Sequence, residues 1–271
     1  MREPNRNETR KRVAELRPID DIFMYRIFKD NVPLTELMLR RIIGIPSLAV
    51  QSVNVQYDIE LHAAGARSLR LDVLATDADG NAYDIEVQRD DRGALPKRAR
   101  YHASAMDVAQ LGQGEDFSEL HDTYVIFITE HDLWKDCEAV HVFDRTDTKT
   151  GKPLGDGTHI AYVNGRYHAD DPIGDLMHDF LCVQPEDMRI PLMAETCGYF
   201  KNTREGLENM CRIIDEYAKE YAKEYAKECV MDSLTNNALR MLRMGKFSHE
   251  DIAAGLNIPF EEVAALAKTV S

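Results

Sequence analysis

The chain has 271 residues, 44% of them hydrophobic, enough for one sizeable core and a smaller appendage. Its formal net charge of -14 excludes a protein that coats nucleic acid indiscriminately, because such proteins draw affinity from clustered Lys and Arg. A nucleic-acid role therefore needs a local basic surface, and the clusters at Arg2 to Arg17 and Lys97 to Arg100 are the candidates. No apolar run approaches the roughly 18 residues of a membrane span, and no apolar segment of signal-peptide type opens the chain. The five cysteines (Cys137, Cys182, Cys197, Cys211 and Cys229) are scattered without a CxxC pair. Reduced thiols and a cytoplasmic location are the expectation.

Residues 1–17 alternate basic and polar side chains without an apolar stripe, which predicts a mobile basic leader over 1–18. From Ile19 the pattern turns helical. Ile22, Phe23, Ile27 and Phe28 form one stripe, and Leu34, Leu37, Met38, Ile42 and Ile43 form a second that Gly44 and Pro46 stop. Three strands in a meander are predicted over Val53–Leu61, Leu69–Thr76 and Ala82–Gln88. Pro96 opens a helix of about 15 residues. The continuous apolar run TYVIFIT, Thr123–Thr129, reads as a strand covered on both faces. Helix, three strands, helix, strand implies a mixed α/β sheet with a helical crossover between parallel strands. Two further strands, Ala139–Phe143 and His159–Val163, and a helix over Ile173–Leu181 complete a main domain of 19–200.

Residues 201–271 are helical in pattern. EYAK repeats three times from Glu216, and a four-residue period advances about 400° on a helix, so the tyrosines form a slowly turning stripe while each Glu meets a Lys at i+3. This suits a spacer or a self-association helix, a route to a homo-oligomer. Beyond it, Ser248 with Asp251 resembles a capping box and Pro259 opens the last helix after Asn257. A packing module suits this hairpin better than a DNA reader, since Glu261 and Glu262 stand where basic or amide side chains belong.

The chemistry concentrates in RLDVLATDADGNAYDIEVQ, residues 70–88. With Ala78, Asp79 and Gly80 as a three-residue loop, Asp72 falls opposite Glu86, and Gln88 returns to the same face. Like charges directly opposite are unfavourable, so the pair calls for a cation or a retained proton. Mg²⁺ suits such oxygen ligands and would polarise a phosphate and activate a water. The alternative is a solvated hairpin in a chain where Asp77, Asp79 and Asp84 show how common acids are. Lys97, Arg98 and Arg100 are candidates for phosphate contacts against ordinary surface basicity. Asp21 or Glu36 is a candidate further ligand, each competing with the role of a plain helix-surface acid. His102 reads as a structural histidine rather than a base.

The hairpin RLDVLATD with AYDIEVQ, followed by LPKRARYHASAMDVAQLGQGEDFSEL and TYVIFIT, resembles the PD-(D/E)XK nuclease family transposases, also called the Rpn family of recombination-promoting nucleases. DDIFMYRIFKDN, DPIGDLMHDFLC and the tail GKFSHEDIAAGLNIPFEEVAAL fit the same family, so the resemblance spans roughly residues 19–200 and reaches the tail. It implies a restriction-endonuclease-like α-β-β-β-α-β core with a helical C-terminal extension. It also implies a metal-dependent DNA endonuclease using Mg²⁺ or Mn²⁺ held by Asp72 and Glu86, with Asp72, Glu86 and Gln88 as the catalytic set. Gln88 stands in the position of the usual motif lysine, and Leu71 replaces the proline of the PD dipeptide. Two other readings remain: a catalytically silent nuclease fold that acts as a DNA-binding or regulatory module, and an interaction protein assembled through its C-terminal helices.

Overall fold

A computed structural model describes residues 6–59, 69–89 and 93–270. Its elements are α1 (Arg6–Glu15), α2 (Asp21–Phe28), α3 (Val32–Ile43), β1 (Val50–Ile59), β2 (Leu69–Asp77), β3 (Ala82–Gln88), α4 (Pro96–Gln110), β4 (Thr123–Thr129), β5 (Val140–Phe143), β6 (Thr158–Asn164), α5 (Pro172–Leu181), α6 (Pro191–Asn202), α7 (Arg204–Met244), α8 (His249–Leu256) and α9 (Phe260–Val270). The chain divides into two compact units, residues 1–211 and 212–271.

Unit one is built on a six-stranded mixed sheet of order β1-β2-β3-β4-β6-β5. β1, β2 and β3 run antiparallel as the expected meander, β3, β4 and β6 are parallel, and β5 closes the far edge antiparallel. The β2–β3 turn sets the register. Asp77 Oδ1 accepts from the N–H groups of Asp79 and Asn81, both at 2.9 Å, while Gly80 takes φ +89°, a conformation that glycine adopts without a Cβ penalty. Val73 then faces Ile85 and Leu74 faces Asp84, as the three-residue loop requires. The last two residues of the strand predicted over Val53–Leu61 lie outside the described residues.

Strand β3 is buried on both faces because α4 carries the chain across to the parallel β4. Helix α4 turns Ala99, Ala103, Ala105 and Met106 inward, against Val125, Phe127 and Tyr162. Three of those four are alanines, small side chains that let the helix lie close to the sheet face. Side-by-side residues of a parallel ladder share a face, so Asp84 and Glu86 lie on the face of Val125 and Phe127.

The N-terminus corrects the sequence reading. Where a mobile leader was predicted, Arg6–Glu15 form a helix that buries Thr9 and Val13. The reason lies far along the chain: the buried Lys201 ammonium on α6 donates to the carbonyls of Ala14, at 3.3 Å, and of Leu16, satisfying acceptors that the end of α1 would otherwise leave open. In unit two, Ser248 and Asp251 form the expected capping box, Asn257 is left-handed at φ 53°, and Ile252, Ile258 and Val263 bury together with Ala238. The EYAK repeat lies within α7, but its tyrosine side chains are outside the described ones.

Candidate active site

Backbone pairing between β2 and β3 is recorded from Thr76↔Ala82 to Val73↔Ile85, and side chains carry the contact one residue further. Asp72 N–H donates to Glu86 Oε1 at 3.0 Å, and Val87 N–H donates to Asp72 Oδ2 at 3.2 Å. Each carboxylate therefore rests on the neighbouring strand's backbone, and the two predicted acids are brought together. Burial, then the charge of Glu86, pushes the Asp72 carboxyl up to about 7. Burial, then Asp84, pushes Glu86 up to about 7 as well. Both are poised between protonation and charge, chiefly because burial disfavours the ionised form.

Asp84 and His102 belong to the same cluster. Asp84 is fully buried and held well above the usual carboxylate range, first by burial and then by Asp72. Its Oδ2 lies 2.7 Å from His102 Nδ1, and its Oδ1 has no hydrogen-bond partner among the described residues. Arg98 Nε donates to His102 Nε2 at 3.2 Å. A guanidinium only donates, so Nε2 accepts, which leaves the ring proton on Nδ1 facing Asp84. The histidine expected to be structural is indeed fully hydrogen-bonded, yet it stands at the centre of the site.

The basic triplet divides. Arg98 enters the site and donates to Glu86 Oε2 at 2.6 Å, whereas Lys97 and Arg100 are exposed on α4. Gln88 Nε2 donates to that same Oε2 at 3.3 Å. Gly93 backs this arrangement: a Cβ there would meet Gln88 Oε1 at 1.8 Å. Of the two candidate further acids, Asp21 is close enough for its charge to raise the Asp72 carboxyl, while Glu36 is occupied by Arg40, at 2.7 Å, and by the Val50 N–H, at 3.0 Å. Asp20, the neighbour of Asp21, joins Arg17, Arg89 and Glu130 in a ring of ion pairs between the start of α2 and the ends of β3 and β4.

Asp84, Glu86 and His102 each present a ligand atom within 4.8 Å of the others, all buried. Two of these donors are carboxylates and one buried carboxylate oxygen, Asp84 Oδ1, is unpartnered, which fits a divalent cation; Asp72 lies outside this group of three.

Residues 39–166 match the PD-(D/E)XK nuclease family transposase model. The match contains β1 to β6 and every residue of the cluster, with Asp21 preceding it. The PD-(D/E)XK match supports a nuclease-type function and agrees with the mixed sheet, whose β2–β3 hairpin carries the acids. Curated proteins and solved structures give no match. Among the described residues, no helix is long and apolar enough to cross a membrane.

Asp84 was missed as a site residue because acids are frequent in this chain. The available signal was its alternation with Glu86 and Gln88 in AYDIEVQ, which places all three on one face.

Proposed function

We propose that the chain is a divalent-metal-dependent DNA endonuclease that hydrolyses phosphodiester bonds and makes breaks of the kind that promote recombination. One observation carries the reading: two carboxylates from adjacent strands, Asp72 and Glu86, converge in a charge-deficient site inside a PD-(D/E)XK match. Asp72 and Glu86 would hold the ion, Mg²⁺ or Mn²⁺, with Asp21 beside them. The bound ion would neutralise charge on the scissile phosphate and lower the pKa of a coordinated water.

The protein's own groups do the positioning. Asp84 orients His102 through Nδ1, His102 in turn receives Arg98, and Gln88 offers an amide donor and acceptor for ordering water or a phosphate oxygen. Lys97 and Arg100, exposed on α4, are suited to contact flanking phosphates.

Nicking of supercoiled plasmid with Mg²⁺, compared between wild type and Asp72→Asn, tests the proposal. Activity in the wild type and a loss of at least about a hundredfold in the variant are expected for a group needed at the reaction centre. Equal nicking by both proteins rejects Asp72. One observation favours the silent-fold reading: Glu86 is fully buried and both its oxygens are engaged by protein donors. DNA binding by the wild type without cleavage in Mg²⁺ or Mn²⁺ would establish that alternative.

A further inference from the structure

An anionic phosphodiester brought beside Asp72, Asp84 and Glu86 meets three carboxylates, and Gln88 carries no charge to offset them. Arg98 stands beside these acids. Its NH2 group reaches Glu86 Oε2 at 2.6 Å, and Gln88 Nε2 reaches the same atom at 3.3 Å. Side chains from α4 and from the end of β3 thus converge on a single oxygen. We propose that Arg98 binds the scissile phosphodiester and stabilises the charge that develops on it, supplying from α4 what the neutral side chain at position 88 cannot. The inference rests on the nuclease reading for its activity arm, and on phosphate recognition alone for its binding arm.

Exposure supports the assignment. The Arg98 side chain is 36% exposed while those of Glu86 and His102 are 0% exposed, so the guanidinium lies between the buried carboxylates and solvent. Its fork is held in place beforehand. Nε donates to His102, NH1 donates to the Gly93 carbonyl at 3.0 Å, and the guanidinium carbon sits 5.7 Å from the centre of the Phe127 ring. A donor fixed in advance stabilises developing charge without reorganising when the reaction occurs. Among the described residues these bonds use three of the five guanidinium N–H groups, which leaves two for phosphate oxygens. The Asp84–His102 pair lies behind this fork, so Asp84 acts on the substrate through Arg98 as a positioning residue.

The test exchanges the two side chains. Arg98→Gln, Gln88→Lys and the double variant are compared with wild type in two assays: binding of a short DNA duplex without added metal across a salt series, and plasmid nicking with Mg²⁺. Circular dichroism and melting confirm folding. Arg98→Gln is expected to weaken duplex binding about tenfold, to reduce the salt slope by about one unit, and to slow nicking by about 10² to 10³. Lysine at position 88 returns positive charge to the same oxygen. The double variant is therefore expected to recover binding and to nick at least about ten times faster than Arg98→Gln, a recovery on the scale of one charge-assisted contact.

A folded double variant no better than Arg98→Gln in either assay overturns the proposal and leaves Arg98 as a structural partner of Glu86. Wild-type binding and nicking in Arg98→Gln overturn it as well. Should the wild type bind DNA but never nick, the nuclease reading fails while the binding arm still decides the phosphate contact. Arg98→Met, closer in volume, takes the place of Arg98→Gln if the latter does not fold.

Discussion

At the residue scale, the site buries carboxylates against one another, and that burial has a pH signature. Asp72 and Glu86 leave their ordinary values of 3.8 and 4.5 for about 7. A raised carboxyl pKa means that the folded protein keeps its protons over a range in which the unfolded chain has lost them. Stability is then highest below the unfolded values and declines as pH rises from about 4 to about 7, levelling above that. Metal-free protein is expected to be less stable to urea at about pH 8 than at about pH 5, and Asp72→Asn to flatten the difference; a wild-type rise over that interval contradicts the assignment. Because cation binding displaces these protons, Mg²⁺ affinity measured by calorimetry should climb with pH through about 7. Asp84→Asn removes the charge that, after burial, most raises Glu86, so the midpoint of that climb should move to lower pH. An unmoved midpoint would mean that Asp84 does not govern Glu86. The Asp72–Glu86 pair was legible because both residues lie in one hairpin with a recognisable turn. Asp84 was passed over among the many acids of this chain, and its contact with His102, 18 residues along and on another element, was not legible at all.

At the scale of elements, two central strands were legible to the residue: Ala82–Gln88, predicted from partial alternation between turn residues, and Thr123–Thr129, where double-sided burial writes a continuous apolar run, are observed as predicted. Helix α1 was not legible. Its sequence has no apolar stripe, and the group that holds its end, Lys201, lies 185 residues beyond Leu16. Lys201 also donates to the Val183 carbonyl and sits 5.3 Å from the centre of the Phe23 ring. Lys201→Met keeps most of the volume while removing all three donors. It is expected to cost about 3 kcal/mol in urea unfolding, in line with losing charge-assisted bonds at partly buried carbonyls, and to speed amide exchange within Arg6–Glu15. An unchanged exchange rate in α1 would show that the helix is held by something else.

At the scale of the whole molecule, the chain resolves into 1–211 and 212–271, and the acids, Arg98, His102 and the sheet all fall in the first. The boundary lies inside α7, ahead of the EYAK repeat, where periodicity predicted a helix but could not name its partner. Self-association through this helix remains a proposal that a truncation can judge. A chain ending at residue 211 is expected to retain Mg²⁺ binding and any nicking activity. Deletion of the three repeats from the full chain should lower the mass found by light scattering. An unaltered mass would assign these helices to packing within one chain.

The crossed arrangement at the end of the β2–β3 ladder, in which each acid accepts from the opposite strand's amide, has a consequence for detection. An occupant that claims those carboxylate oxygens withdraws the acceptors of just two amides, Asp72 and Val87, and leaves the ladder from Val73 onward intact. Deuterium uptake at these two positions would then report loading of the site in the resting protein.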